Sequence, residues 1–371
     1  MTPRPGVRHL YLHLPFCASR CGYCAFVVNV GALGRRDAYL GALLAELERE
    51  REAGLIGALD TVYLGGGTPT LMRPRRLTAL MDRIRPLLAP GAEVSIEANP
   101  ESVDGPALAA LRRAGITRLS LGVQSFQPRL LAALDRAATP AQARQLVSCA
   151  RAAGFEDLSI DLIFGIPGQT ADDLEADLAE ALAAGPDHIS WYELELKPGT
   201  ALARAGTPAF DEDEGADAYR RIVGGLEDAG YRWYETANFA RPGHECRHSL
   251  AYWGAADYLG LGVGAVSTAG GLRWRNSPAL DGYIDALAAA QAPPRTREPL
   301  DADDVRRERW MLGLRLERGL PLAWAGPPDR PDALERLGAA GLLRHDADEV
   351  ALTREGRFVQ NAILHELMDY A

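Results

Sequence analysis

The sequence is poor in cysteine and has no long apolar run, and both features limit what the protein can be. Five cysteines among 371 residues are too few for a disulfide framework. No stretch of about 18 apolar residues could cross a membrane. The strand-like run at residues 9–14 ends at Pro15, too early for the apolar core of a signal peptide. We therefore predict a cytoplasmic protein without a membrane span, which leaves peripheral membrane contact open.

The sequence also has no excess of positive charge. The 40 Lys and Arg residues stand against 50 Asp and Glu residues, which gives a formal net charge of −10 at pH 7. No basic stripe with interleaved aromatic residues offsets this balance, so nucleic acid is not expected as a partner. The hydrophobic fraction of 47% is enough for one large core and a smaller satellite domain.

Short β-branched and aromatic runs alternate with amphipathic helical patterns over the first half of the chain. Several helical patterns begin with proline, which suits the first turn of a helix. Six strand–helix units in a row predict an α/β fold with a parallel sheet, closing into a partial (β/α)6 barrel of the TIM type. The predicted strands are Arg8–Leu14, Asp60–Leu64, Ala92–Ala98, Thr117–Val123, Asp157–Phe164 and Asp187–Glu193. The predicted helices are Arg36–Glu52, Pro74–Leu88, Pro106–Ala114, Pro140–Ala153 and Ala171–Ala184.

The pattern changes after about residue 235, and the change divides the chain into three predicted regions. Residues 1–235 form the barrel, and residues 236–290 form an irregular segment associated with it. Residues 300–371 form a small, mostly helical domain with a β-hairpin. Between the last two regions, Ala290–Pro299 has the Pro, Ala and Arg content of a linker.

Three of the five cysteines, Cys17, Cys21 and Cys24, lie within eight positions. Thiolates are soft ligands that suit iron–sulfur clusters or zinc. A cluster of four irons usually takes four cysteines, so three cysteines leave one iron open for a further ligand, as catalysis requires. A zinc site with His13 as the fourth ligand is the alternative. Strand alternation argues against it, because it places His13 with Tyr11, back along the strand.

Polar or glycine residues follow most of the predicted strands. In a β/α barrel these strand ends line the face that carries the active site. The turn Gly65-Gly66-Gly67-Thr68 follows the second strand, and glycine lets the backbone approach a ligand closely. No lysine follows this turn, which argues against a phosphate-binding loop. Asn99, Gln124 and Gly165 stand at the ends of later strands.

The C-x3-C-x2-C spacing, with the aromatic Tyr23 before the third cysteine, resembles the radical S-adenosylmethionine (SAM) superfamily. The resemblance implies a radical SAM barrel with a [4Fe-4S] cluster on the three cysteines. The open iron would chelate SAM, and one electron from the cluster would break the sulfonium C–S bond to give a 5′-deoxyadenosyl radical. An electron donor for the cluster is then an expected partner, and the protein supplies position and exclusion of solvent.

The same resemblance implies which residues contact the cofactor. It assigns the glycine turn to the methionyl amino group and Glu97 to the ribose hydroxyls. The alternative for Glu97 and Asp161 is that they cap neighbouring helices or pair with arginines. The full set of implied cofactor contacts is Tyr11, Tyr23, Gly66, Gly67, Thr68, Glu97, Gln124, Arg136 and Asp161.

Longer motifs resemble the oxygen-independent coproporphyrinogen III oxidase-like family over nearly the whole chain. They are Tyr-Leu-His-Leu-Pro-Phe-Cys, Gly-Gly-Gly-Thr-Pro-Thr, Glu-Ala-Asn-Pro, Leu-Gly-Val-Gln-Ser-Phe and His-Ile-Ser-Trp-Tyr-Glu-Leu. The oxidase has a fourth cysteine where this chain has Phe26, and a longer arm before the position of Tyr11. Phe26 therefore indicates the heme chaperone branch, HemW, which is thought to bind heme and pass it to respiratory apoproteins.

The heme-linked motifs of that branch are kept only in part. The branch usually carries His-Asn-x-x-Tyr-Trp, and this chain has His248-Ser249-Leu-Ala-Tyr-Trp. Its Gly-Ala-His-Ser is Gly-Ala-Val266-Ser here, and Ala25 replaces a common aspartate. These departures bear on heme affinity more than on the radical SAM core.

His248 is the candidate heme contact. His244 and Cys246 stand beside it, and imidazole and thiolate both bind heme iron. The alternative is a solvated histidine in a polar loop. Cys149, by contrast, lies in a predicted helix and is expected to be a buried apolar residue.

Three hypotheses about function follow. The first is a heme chaperone-like radical SAM protein, with heme and a heme-accepting apoprotein as partners. The second is a radical SAM enzyme, either a coproporphyrinogen decarboxylase or a related methyltransferase or cyclopropane-forming enzyme. The third is an iron–sulfur electron carrier. Phe26 argues against coproporphyrinogen oxidation, and the glycine turn and Gln124 argue against a carrier, which has no use for an adenosine pocket.

Overall fold

Nine strands form the main sheet of the computed structural model, which describes residues 6–208 and 210–369. Residues 1–5 and 370–371 of the outer predicted regions therefore lie outside the described residues. The strands are β1 (Val7–Leu14), β2 (Ile56–Gly66), β3 (Leu88–Ala98), β4 (Arg118–Gln124), β5 (Asp157–Phe164), β6 (His188–Glu193), β7 (Arg232–Trp233), β8 (Asn238–Ala240) and β9 (Leu259–Leu261).

The strands lie in the order β9-β1-β2-β3-β4-β5-β6-β8-β7. All pairs from β9 to β6 are parallel, and β8 and β7 continue the sheet in antiparallel fashion. Within the described residues the edge strands β9 and β7 do not pair, so the barrel remains open. The predicted partial (β/α)6 barrel is confirmed, with one additional parallel strand on the outer side of β1.

Helices cover the outside of this sheet, and their starts follow local sequence signals. Thr139 and Thr170 each form a capping box, with Gln142 and Asp173 respectively. The long helices are α1 (Arg36–Glu52), α2 (Arg73–Ile84), α3 (Gly105–Ala114), α4 (Pro140–Ala152), α5 (Ala171–Ala184) and α6 (Glu212–Asp228), and two short helices are Pro128–Ala133 and Ala201–Arg204. No helix in the described part of the chain is both long and apolar enough to span a membrane.

Alternation along the strands gives the barrel two different faces. In β5, Leu158, Ile160 and Leu162 are fully buried in the main core. The intervening Ser159 and Asp161 line an interior cavity instead. Because side chains of a strand point alternately to its two faces, the helix-facing positions are apolar and the lumen is polar. Strand β3 repeats this arrangement with Ser95 and Glu97 in the lumen.

The C-terminal part contains more regular structure than the sequence indicates. Arg295–Pro299, in the predicted linker, is a strand that pairs with Leu272–Asn276, so the linker prediction is wrong there. The physical reason is Arg295, whose guanidinium forms buried ion pairs with Glu46 at 2.8 Å and Glu50 at 2.5 Å. The remaining helices are Arg247–Trp253, Leu280–Ala288, Ala302–Gly313, Leu322–Ala325, Asp332–Ala339, Arg354–Phe358 and Gln360–Leu367.

Two small three-stranded sheets lie in the C-terminal part of the chain. Strands β10 (Val266–Ala269), β11 (Leu272–Asn276) and β12 (Arg295–Pro299) form one antiparallel sheet. Strands β13 (Leu320–Pro321), β14 (Leu343–His345) and β15 (Glu349–Leu352) form the other, in which β14 and β15 make a hairpin. The second sheet and its helices surround a separate apolar cluster that includes Trp310, Leu337 and Ile363. The predicted boundaries at residues 235, 290 and 300 remain predictions.

Candidate functional site

A cavity of about 650 Å³ opens at the carboxyl ends of the barrel strands. Its wall contains all three cysteines of the loop after β1 and polar residues from the ends of the next strands. The predicted site residues that line it are Cys17, Cys21, Tyr23, Cys24, Gly66, Gly67, Thr68, Glu97, Gln124, Arg136 and Asp161. Tyr11 and His248 do not line this cavity.

Hydrogen bonds hold the cysteine loop in shape. Its two ends are joined by parallel pairing of Phe16–Cys17 with Asn29–Val30. Arg20 donates to the carbonyl oxygens of Cys24, Phe26 and Val28 at 3.3–3.5 Å. The loop therefore keeps its thiols on the cavity side. Burial raises the pKa of the thiols of Cys17 and Cys24.

A chain of polar contacts connects two of the sulfurs. The hydroxyl of Thr68 lies 3.7 Å from Sγ of Cys17 and accepts from Nδ2 of Asn99 at 3.1 Å. Oδ1 of Asn99 accepts from Arg136 at 2.9 Å, and the same guanidinium lies 3.6 Å from Sγ of Cys21. Hydrogen bonds to sulfur tune the electronic properties of metal thiolates. Asn99 is thus the central member of this chain, a role that its position at a strand end did not reveal.

The glycine turn approaches the cysteine loop too closely for any side chain. A Cβ on Gly67 would lie 2.8 Å from the carbonyl oxygen of Phe16 and 3.0 Å from Sγ of Cys17. Gly66 has a φ of +116°, which favours glycine, and its N–H donates to Oε2 of Glu97 at 3.1 Å. The turn therefore joins the cysteine wall of the cavity to its carboxylate wall.

Two carboxylates in the cavity form no ion pair with the residues that the structure describes, although the charge of Arg118 acts on Asp161. Glu97 accepts from the hydroxyl of Tyr63 at 2.9 Å, and burial together with the charge of Asp161 raises its pKa to about 7. Asp161 accepts from Ser120 at 2.9 and 3.0 Å, and burial raises its pKa. Neither carboxylate caps a helix or pairs with an arginine in the described ranges, so that alternative is wrong. An unpaired buried carboxylate favours a cationic ligand.

A buried aspartate supports the turn that carries Gln124. Gln124 has a φ of +69°, a conformation that is uncommon outside glycine. Asp177, fully buried on α5, accepts from the hydroxyl of Ser125 at 2.6 Å and from the N–H of Phe126 at 2.7 Å. Asp177 therefore holds the chain immediately after Gln124. It lies 53 residues from Gln124 in sequence, and no motif in the helix pointed to this role.

Comparison with known proteins gives a consistent result. Residues 11–181 match the radical SAM superfamily and residues 300–359 match the HemN C-terminal domain. The chain is 43% identical to the heme chaperone HemW of Mycobacterium tuberculosis, over 99% of its own length and 97% of that protein. It is 32% identical to the heme chaperone HemW of Escherichia coli, with 96% of each chain covered. The chain belongs to the HemW family of radical SAM proteins.

The solved structures extend this result to the whole fold. The structure of coproporphyrinogen III oxidase (HemN) from Escherichia coli, a radical SAM enzyme, superposes with a TM-score of 0.86 at 26% identity. It covers 100% of this chain and 92% of that chain. The HemW-family chain therefore has the overall fold of that HemN structure.

The radical SAM fold implies a [4Fe-4S] cluster and SAM, and the residues of this HemW-family chain fit both groups. Three thiols face one cavity, and two of them contact hydrogen-bond donors from Thr68 and Arg136. Within residues 6–208 and 210–369, no three His, Cys, Asp or Glu side chains already stand in metal-binding geometry. The two carboxylates of the opposite wall match the positive charge of a sulfonium cofactor.

His13 and Tyr11 form a hydrogen bond with each other and do not line the cysteine cavity. Nδ1 of His13 lies 3.0 Å from the hydroxyl of Tyr11, and its Nε2 lies 2.7 Å from the carbonyl oxygen of Val27. Both ring nitrogens are therefore engaged, and the zinc alternative with His13 is wrong. Tyr11 instead lines a second, smaller cavity, so its predicted contact with the cofactor remains a prediction.

The structure corrects the sequence interpretation of His248. It lies in the helix Arg247–Trp253, not in a polar loop, and only 2% of it is exposed. Its Nδ1 lies 2.7 Å from the hydroxyl of Thr61, and its ring packs on Tyr63 at 5.3 Å and on Tyr252 at 4.7 Å. Burial lowers its pKa to about 3. The solvated alternative is wrong, and direct access of heme to this ring would require rearrangement.

The other members of the expected heme-binding group have partners of their own, and Cys246 lines the first cavity. His244 pairs with Asp157 at 2.6 Å. The thiol of Cys246 is buried 3.7 Å from Glu93, and burial raises its pKa to about 11. The guanidinium of Arg315 covers one face of Trp253 at 5.2 Å. The expected histidine–cysteine cluster is therefore absent from the described residues, because each member has its own partner.

Proposed function

We propose that this chain is a heme chaperone that carries a [4Fe-4S] cluster on Cys17, Cys21 and Cys24, binds SAM beside the cluster, and binds heme for delivery to an apoprotein. One observation carries the proposal: a single cavity of this HemW-family chain is lined by three thiols, a glycine turn and two carboxylates without an ion pair in the described residues. When bound, the cluster would supply single electrons to the sulfonium group of SAM. An electron donor is therefore a proposed partner, and the cytoplasm the proposed compartment.

The residues of the cavity have distinct roles in this proposal. The three thiolates hold the cluster, while Thr68 and Arg136 donate hydrogen bonds to sulfur. The absence of a side chain at Gly67 lets the glycine turn pack directly against the cysteine loop, which brings the turn beside the methionyl end of SAM. Glu97 and Asp161 bind the polar groups of the cofactor and balance its positive charge. Tyr23, Gly66 and Gln124 shape the same wall.

The heme part of the proposal has separate support. The relatives that align over almost the whole chain are heme chaperones by name. At the position of the oxidase cysteine, the apolar Phe26 is 68% exposed at the mouth of the cavity. A phenyl ring there can cover a flat apolar ligand but offers no thiol for chemistry.

A radical SAM enzyme is the second candidate, and one observation favours it. The cofactor cavity retains every polar group that the resemblance assigns to SAM except Tyr11, in a fold that superposes on 92% of the HemN oxidase. A protein that only carried heme would not need this cavity. Coproporphyrinogen decarboxylation remains disfavoured, because Phe26 replaces the oxidase cysteine.

Two assays on the anaerobically reconstituted protein separate these functions. In the first, heme is titrated while the Soret band is followed. In the second, coproporphyrinogen III is incubated with a reductant and SAM, and carbon dioxide and the divinyl product are measured. We expect a stoichiometric heme complex and no decarboxylation. The absence of any heme complex would remove the chaperone function, and stoichiometric divinyl product would establish the oxidase instead.

A further inference from the structure

A second cavity of about 330 Å³ lies on the other side of the cysteine loop. Ala25 and Phe26 line both cavities, so this loop separates them. The second cavity has aromatic walls. The rings of Tyr252 and Tyr258 lie 4.5 Å apart at 55°, and Tyr11 contributes a third ring.

One uncompensated positive charge stands at this cavity. Arg275 is exposed on β11, directly opposite Val266 in the pairing with β10. Its guanidinium has no ion-pair partner among the residues that the structure describes, whereas Arg273 on the same strand pairs with Glu308 at 2.6 Å. His13 adds no charge here, because burial lowers its pKa and both its nitrogens are engaged.

We propose that this second cavity binds the carboxylate-bearing edge of a planar tetrapyrrole. The ring face packs on Phe26, Tyr252 and Tyr258, and a carboxylate pairs with Arg275. The inference rests on the proposed heme chaperone function and names the site that serves it. Aromatic faces favour flat conjugated ligands, and a guanidinium matches a carboxylate with two parallel hydrogen bonds.

The size of the second cavity bears on how heme can be delivered to an acceptor protein. Its volume of about 330 Å³ lies at the lower end of the range for ligand pockets, so the cavity encloses only part of a tetrapyrrole. The opposite edge of the ring then stays in solvent, where an acceptor protein can contact it. Val266 offers no atom that ligates iron, so recognition depends on the ring face and the carboxylate.

A matched pair of arginine variants tests this site. Heme is titrated anaerobically into the reconstituted wild type, Arg275→Gln and Arg297→Gln. Arg297 is an exposed arginine on the neighbouring strand, opposite Trp274 and outside the cavity, and serves as the control. We expect Arg275→Gln to weaken heme binding about 10- to 100-fold, as for loss of a charged hydrogen-bonded pair. Arg297→Gln should match the wild type within about twofold.

Heme dimethyl ester separates loss of the carboxylate contact from general damage to the site. The ester has no carboxylate charge, so the wild type and Arg275→Gln should bind it equally. Phe26→Ala should weaken the binding of heme and of its dimethyl ester to the same extent. Unchanged heme binding in Arg275→Gln, or an equal loss of acid and ester in that variant, would overturn the site while leaving the chaperone function intact. Absence of heme binding by the wild type would overturn both.

Discussion

The two cavities beside the cysteine loop are built from different parts of the chain and differ in the groups that line them. The first combines thiols with the ends of β2 to β5, and its carboxylates Glu97 and Asp161 form no ion pair among the described residues. The second combines aromatic rings from β1 and the helix Arg247–Trp253 with an unpaired guanidinium on β11. This difference is the basis for proposing a cationic cofactor in the first cavity and a flat anionic ligand in the second. The cysteine loop forms a wall of both cavities through Ala25 and Phe26.

The largest expected effect is complete loss of the cluster from the first cavity. Replacing Cys17, Cys21 or Cys24 with alanine should abolish the [4Fe-4S] cluster, because each supplies a ligand that no nearby thiol can replace. Iron content and the brown absorbance after anaerobic reconstitution measure this loss. Cys149→Ala is the matched control, since Cys149 lies on α4 outside both cavities and should retain full iron. Full cluster occupancy in all three loop variants would refute the assignment.

The second prediction concerns the carboxylate wall. Asp161→Ala should weaken SAM binding by about 1–3 kcal/mol, the usual cost of losing a buried hydrogen-bonding group. The hydroxyls of Ser120 and Ser159 also lose their acceptor. Calorimetry with SAM measures the change, and the heme affinity of the same variant serves as the internal control. A parallel loss of heme affinity would mean that the two cavities are not independent, and unchanged SAM affinity would remove Asp161 from the cofactor site.

The third prediction uses pH. The pKa of Glu97 is about 7 in the cofactor-free fold, above the ordinary 4.5. Ionisation of Glu97 therefore costs folding stability as pH rises from 4.5 through 7, and a bound cation offsets this cost. SAM affinity should then fall about tenfold between pH 8 and pH 6 as Glu97 becomes protonated. Titrations at both pH values measure the change, and Glu97→Gln should show a weaker, flatter profile. An equally steep profile in that variant would exclude Glu97 as the titrating group.

The smallest expected effect lies in the polar chain between the sulfurs. Asn99→Ala breaks the link between Thr68 and Arg136 without removing a thiol. The cluster should still assemble, and its reduction potential should become more negative, because weaker hydrogen bonding to thiolate disfavours the more negative reduced state. A redox titration followed by electron paramagnetic resonance measures the shift. Asn99→Asp keeps an acceptor for Arg136, so its reduction potential should differ from that of Asn99→Ala. An unchanged potential in both variants would show that this chain of hydrogen bonds has no electronic role.

Features governed by local pattern were predictable from the sequence. Strand β5 and helices α1 and α5 match their predicted bounds, because strand alternation, the spacing of apolar residues along a helix and the capping box of α5 are local signals. The family resemblance named Glu97, Gln124 and Asp161, and their convergence follows because the parallel strands of a barrel end on one face.

Features that depend on distant contacts were not predictable. His248 is buried because Thr61, 187 residues away, holds its ring. Arg295 converts a linker-like segment into a strand because Glu46 and Glu50 lie across from it in space. The second cavity likewise needs strands and a helix from three distant segments, and only the fold brings Phe26, Tyr252 and Arg275 to one surface.

The independence of the two cavities is the central claim, and one competition experiment tests it directly. Heme is titrated into the reconstituted protein with and without saturating SAM, under anaerobic conditions and without reductant. The account predicts a ternary complex with one SAM and one heme per chain, and a heme Kd that SAM changes by no more than about threefold. Mutual exclusion, in which saturating SAM displaces heme, would place both ligands in one cavity and contradict the account.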